Sequence, residues 1–114
     1  MEKKELGKIS NVRFGLGGYQ DCMLGLHLTF SLGGGGAGVG TTISAWDANR
    51  IECSEHAQWA EEDRSKQYDE IMREVSDLLA KANVDSIDKL KNVPVEVTIE
   101  GNTFKSFRIL TEVL

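Results

Sequence analysis

Cysteine, proline, aromatic residues and long apolar runs are all scarce in this chain, and each scarcity excludes something. Two cysteines, Cys22 and Cys53, are too few for a secreted disulfide scaffold, so a reducing cytosol is the expected compartment. No apolar run approaches the roughly 20 residues of a membrane-spanning helix. The charged start Met1-Glu2-Lys3-Lys4-Glu5 leads into no apolar core of a signal peptide. Cations are outnumbered: 13 Lys and Arg face 18 Asp and Glu, a net charge of −5. Proteins that hold long nucleic acids usually present a basic face, so this balance argues against that role. It leaves room for a small anion held by a few local cations and backbone amides. The 114 residues, 40% hydrophobic and 27% charged, suit one soluble domain with its own core, residues 1–7 forming a partly ordered charged tip.

Glycine is abundant, and it is clustered. Gly15, Gly17 and Gly18 precede the clearest apolar pattern of the chain, and Gly33, Gly34, Gly35, Gly36, Gly38 and Gly40 follow it. Such clusters make flexible turns or expose backbone N–H groups to an anion. Between them Leu24, Leu26, Leu28, Phe30 and Leu32 alternate with Gly25, His27, Thr29 and Ser31, the period of a half-buried strand. A strand is expected before it over Lys8–Phe14, with residues 15–21 as a loop, and another after it over Val39–Trp46. Residues 47–57 lack a period and read as loop. Tyr68, Ile71, Met72, Val75, Leu78, Leu79 and Ala82 form one helical stripe, with Glu61, Glu62 and Asp63 suited to its first turn. Pairs such as Asp69–Arg73 and Asp77–Lys81 support it at i,i+4 spacing. Asp85 or Ser86 is placed to cap a short second helix through Leu90. Val95, Val97 and Ile99, the turn Gly101-Asn102 and the return from Thr103 predict a C-terminal hairpin, which Pro94 opens. The expected fold is α+β: about five antiparallel strands packed against one long helix plus a short second helix.

The chemical constellations are weak. Gly33, Gly35 and Gly38 spell G-x-G-x-x-G, but a dinucleotide site needs a helix next, and Thr41-Thr42-Ile43-Ser44 reads as strand. A phosphate loop would need a lysine that the run lacks, so a flexible hairpin loop is the preferred reading. Cys53 and His56 offer half a zinc site, with Cys22 and His27 as distant candidates for the rest. Small buried thiols and solvated histidines are the plainer reading. The same residues as a Cys–His nucleophilic pair lack a visible orienting group. The acidic residues lie mostly on the outer face of the helix, as a solvated surface. No metal or other cofactor is called for. On the last strand, alternation puts Phe104, Ser106 and Arg108 on one face and Lys105, Phe107 and Ile109 on the other. An aromatic beside an arginine can stack a base and pair a phosphate, although core packing and a rim charge would explain the same residues.

Three blocks carry a family resemblance: VRFGLGGYQD over 12–21, WAEEDR over 59–64, and PVEVT at 94–98 with KSFRILTEVL at 105–114. Together they resemble the first phage Thoeris anti-defence family. The resemblance implies a sponge in the host-cell cytoplasm that sequesters cyclised ADP-ribose signals, and in some members cyclic oligonucleotides, without cleaving them. It implies a homo-oligomer with the pocket between protomers, and no enzyme activity. By position Arg108 and Asn92 carry over as ligand-binding residues, Trp46 more weakly, with Phe104 and Lys105 beside Arg108. This chain continues its glycine run as Ala37-Gly38-Val39, where relatives place a tryptophan, which argues against a stacking role for the loop. Arg108 would clamp phosphate, and Asn92 would read a base or ribose. The rival readings are a phage protein that binds a host protein, and a small nucleotide hydrolase. The polar face of strand 24–32 (His27, Thr29, Ser31), or an exposed edge, is the expected subunit contact.

Overall fold

The structure, a computed structural model, describes residues 2–33 and 38–114. The expected turn at 33–36 and the glycine motif through Gly35 lie largely outside the described residues. Five strands form one antiparallel sheet: β1 (Glu2–Gly17), β2 (Met23–Leu32), β3 (Val39–Trp46), β4 (Pro94–Glu100) and β5 (Thr103–Ile109), in the order β3-β2-β1-β4-β5. One long helix, α1 (Glu61–Ala82), packs against it. The α+β architecture expected from periodicity is present.

β1 is longer than its apolar pattern suggests. Residues 2–7, expected as a loose tip, are strand, because Glu2 to Lys8 pair with Glu100 back to Pro94. From Gly7 to Gly17 the same strand pairs with β2 on its other side. Gly7 and Lys8 therefore carry both partners, and a Cβ on Gly7 would run into the Ser31 carbonyl oxygen. Charged residues alternate with one another over 2–5, so hydropathy gives no period there; pairing supplies the order.

Two register shifts decide what faces inward. One, between Ile9 and Asn11, makes Ser10 the extra residue of β1 and brings Ile9 and Val12 to the core face. The other lies opposite Thr98/Ile99, where Thr98 pairs with Ser106 and Ile99 with Phe104, so Lys105 is extra. Strict alternation on β5 is thereby corrected. Phe104, Phe107 and Ile109 share the core face with Ile99, Val97 and Val95, while Lys105 and Arg108 point outward. Phe30 on β2 stacks on Phe104 (centroids 5.9 Å apart, planes within 9°) and meets Phe107 at 4.8 Å. β2 and β5 are separated by two strands in the sheet, so these contacts require it to curl. The concave core holds Ile9, Leu26, Leu28, Phe30, Leu90, Val95, Val97 and Ile109.

α1 lays Tyr68, Ile71, Val75, Leu78, Leu79 and Ala82 toward this sheet. The Asp63 carboxylate accepts from the Ala60 N–H at 2.8 Å, closing the first turn, and Asn83 ends the helix in the left-handed region at φ 57°. Met72, expected in the stripe, is 64% exposed. The expected second helix is a single 3-10 turn, Ile87–Leu90, preceded by Ser86 and too short to form an α-helix. Among the described residues no helix is long and apolar enough to cross a membrane.

Candidate functional site

The five residues expected to bind a ligand fall in three places. Arg108 and Lys105 stand on the convex face of β5 because of the bulge. Arg108 already holds carboxylates: its Nε donates to Glu96 at 3.1 Å, and Nη1 and Nη2 donate to the two oxygens of Glu112, each at 3.1 Å. The hydrogen bonds that Arg108 donates to Glu112, then to Glu96, raise its pKa, and Arg108 in turn holds the Glu112 carboxyl below its ordinary 4.5. Lys105 hydrogen-bonds Glu2 and lies 3.7 Å from Glu100. An anion arriving at β5 must displace these partners.

Phe104 is committed to Phe30 in the concave core. Trp46 lies elsewhere. Phe30 pairs with Val39, and Trp46 is seven residues further along β3, about 23 Å at strand rise. The Trp46 carbonyl accepts from the Tyr68 hydroxyl at 3.0 Å, tying the end of β3 to α1. These five residues therefore do not form one pocket.

Asn92 does line a cleft. The backbone fixes it: its φ is 72°, which asparagine tolerates, and its N–H donates to the Ile9 carbonyl at 2.7 Å. The Ile9 N–H answers by donating to the Val93 carbonyl at 3.0 Å. The turn before β4 is thus clamped onto β1 beside its bulge. The cleft, about 480 Å3, is lined by Asn92, Lys8, Ser31, Leu32, Gly33 and Pro94 with Gly7. Lys8, Ser31 and Pro94 stand in a row across β2, β1 and β4, through the Lys8–Ser31 and Lys8–Pro94 pairings. Among the described residues the Lys8 ammonium has no ion-pair partner, and the Asn92 amide and Ser31 hydroxyl make no hydrogen bond. One cation, one amide and one hydroxyl thus converge uncommitted at the start of the glycine run, a donor set suited to an anionic, hydroxylated molecule. The sequence points to neither Lys8 nor Ser31 as a ligand residue, Ser31 standing only in the expected subunit contact; a lone lysine in a strand carries no motif, and only the pairing of β1 with both neighbours brings it to Asn92.

The candidate nucleophiles and metal ligands are engaged separately. His27 Nε2 lies 3.0 Å from the Gly15 carbonyl, which can only accept, so Nε2 carries the proton and Nδ1 accepts from the Thr42 hydroxyl at 3.1 Å. Thr42 Oγ1 is in turn 2.8 Å from Ser44 Oγ. These hydrogen bonds orient His27 toward Gly15 and Thr42, and none of them involves a thiol. The Cys53 thiol donates to the Trp59 carbonyl at 3.0 Å, and Cys22 to the Gln20 carbonyl at 3.4 Å. His56 is exposed beside Glu55. Among the described residues no three His, Cys, Asp or Glu side chains converge as a metal site would need.

One buried charge was not foreseen. Arg64, in the first turns of α1, is only 2% exposed. Its guanidinium lies 4.6 Å from the Trp59 ring centroid, and Nη2 donates to Glu61 at 3.0 Å. Nε and Nη1 are buried without a hydrogen-bond partner among the described residues. Arg64 stands four residues before Tyr68, one helical step ahead of the apolar stripe, where its charge disguises a buried position.

No family model matches this chain, and neither does any curated protein or solved structure.

Proposed function

We propose that the protein binds a small anionic nucleotide signal and holds it without cleaving it, as the resemblance to the Thoeris anti-defence family implies. The observation that supports this reading is the cleft at Lys8, Ser31 and Asn92, whose cation, hydroxyl and amide have no partner among the described residues. Asn92 comes to this site from the resemblance; Lys8 and Ser31 come from the geometry. Lys8 would pair with a phosphate, Asn92 would donate to a ribose or base oxygen, and Ser31 would accept or donate to a ribose hydroxyl. No step of this requires a nucleophile or general base beside the ligand, as a protein that stores a signal intact requires. A pyrophosphate carries two negative charges and Lys8 offers one. A second copy of the chain would supply the rest, in a homo-oligomer with the ligand between protomers. Arg108 is the second cation to consider, but only by exchanging Glu96 and Glu112 for phosphate.

The test is titration calorimetry with cyclised ADP-ribose and with a panel of cyclic oligonucleotides. The variants are Lys8→Ala, Asn92→Ala and Arg108→Ala. The cleft assignment expects at least tenfold weaker binding for the first two and little change for Arg108→Ala. The reverse order would move the ligand to the β5 face. No binding by the unmodified protein would overturn the reading and favour a protein partner.

A further inference from the structure

On the face of the sheet opposite Leu26 and Leu28, Arg13, His27 and Thr42 stand in one row across β1, β2 and β3, through the Arg13–His27 and His27–Thr42 pairings. The next row holds Gly15, Gly25 and Ser44, and β1 continues on that face with Gly17. Glycine inside a strand weakens it and often marks a close approach. Here side chains make the approach. A Cβ on Gly17 would lie 2.9 Å from Arg13 Nη2 and 2.9 Å from His27 Nε2, and one on Gly15 would lie 3.2 Å from Arg13 Nη1. Both side chains thus lie down over bare backbone, which brings the two nitrogens within about 6 Å of each other.

Arg13 Nη2 donates to the Leu16 carbonyl. Among the described residues its Nε and Nη1 make no hydrogen bond and no carboxylate pairs with it, so the backbone holds the guanidinium in place with its charge uncompensated. His27 is held from both sides. With Nε2–H on the Gly15 carbonyl and Nδ1 accepting from Thr42, the ring is neutral. The same positions suit the imidazolium: Nδ1–H would donate to Thr42 Oγ1, whose own proton would turn to Ser44 Oγ at 2.8 Å. β1 presents Arg13 to the ring, and β3 presents only the uncharged Thr42 and Ser44. We infer that Arg13 and His27 form a binding site for a dianionic tetrahedral oxyanion, a free phosphate or the terminal phosphate of an ester, taken up together with one proton from solvent. The free N–H groups of Arg13 hydrogen-bond the oxyanion, and its second charge is matched when His27 accepts the proton on Nδ1. Without the anion, the guanidinium beside the ring repels that proton. The site lies about 13 Å along β2 from Ser31, apart from the cleft at Lys8, and does not depend on the nucleotide reading.

Sulfate is the probe, because near neutral pH it stays dianionic and takes up no proton itself. It is titrated into the full chain by calorimetry, at ionic strength held constant with sodium chloride, in two buffers of different ionisation heat. The variants are Arg13→Gln, His27→Gln and Lys66→Gln, the last removing one charge from an exposed position on α1. Melting curves confirm that they remain folded. The expected result is saturable binding to one site, with a heat that differs between the buffers as proton uptake requires. Arg13→Gln and His27→Gln should each bind at least tenfold more weakly, His27→Gln should lose the buffer difference, and Lys66→Gln should bind as the unmodified chain does. In the unmodified chain the His27 ring resonances should shift with the same dissociation constant, a readout that no variant is needed for. Competition against sulfate by inorganic phosphate and by methyl phosphate then separates a free ion from an ester, the tighter competitor naming the source. No saturable binding, equal weakening by Lys66→Gln, or unmoved His27 resonances would overturn the site. Heats that are the same in both buffers would overturn the proton uptake at His27.

Discussion

Replacing Phe30 by alanine tests the curl of the sheet. Phe30 is fully buried, stacked on Phe104 and in contact with Phe107, both from a strand three places removed in the sheet. Burying a phenylalanine and then deleting it costs about 3–5 kcal/mol, from lost transfer energy and the cavity left behind. A chain of this length has roughly 6–17 kcal/mol of stability at the usual per-residue range. Phe30→Ala should therefore remove between a fifth and most of it, read as a lower midpoint in urea with little change in slope. The more specific quantity is the coupling. In a double-mutant cycle Phe30→Ala with Phe104→Ala should show about 0.5–1.5 kcal/mol of interaction energy, the range for an aromatic pair. Strictly additive effects would mean that β2 and β5 do not meet, and the curled sheet would be refuted.

Further predictions follow from single positions. Gly7→Ala should cost about 1–3 kcal/mol, because the new Cβ meets the Ser31 carbonyl and backbone must move; an unchanged melting temperature would contradict the double pairing of β1. Arg64→Met should be neutral or stabilising by about 1–4 kcal/mol, since it keeps the packed stem and removes a buried charge with two unpartnered nitrogens; a loss beyond about 2 kcal/mol in the same urea assay would show the guanidinium to be well satisfied. Glu2 and Glu112 are held below the ordinary 4.5, by hydrogen bonds from Lys105 and Arg108 respectively. Their contribution to stability is complete above that value and is lost as pH falls through the lower folded-state values. Thermal melts between pH 6 and 3 should thus decline less steeply for Glu2→Gln/Glu112→Gln than for the unmodified chain, and identical slopes would count against those ion pairs.

Much of the fold was legible because burial wrote a period into the sequence. The alternating leucines of β2, the stripe of α1 and the Gly101-Asn102 hairpin all bury one face and expose another, and the register agrees with them. What was not legible has physical causes. Residues 2–7 form strand without an apolar pattern because backbone pairing with β4 orders them. The bulges at Ser10 and Lys105 add one residue without changing composition, yet each reverses the faces beyond it, so Phe104 and Phe107 came out on opposite sides when both face the core. The candidate site was harder still. Asn92 was singled out through resemblance, but Lys8 and Ser31 acquire meaning only from cross-strand neighbours. Arg108 looked available because its partners Glu96 and Glu112 lie on another strand and beyond the end of its own. Arg64 reads as surface in any pattern based on charge.

The most direct test of the proposed role is native mass spectrometry of the protein purified from cells that make a TIR-derived signal, beside the same protein incubated with cyclic oligonucleotides. The account predicts an oligomer carrying an intact nucleotide, released unchanged on denaturation and lost from the Lys8→Ala variant. A nucleotide released in cleaved form, or an empty protein across the whole panel, would contradict it.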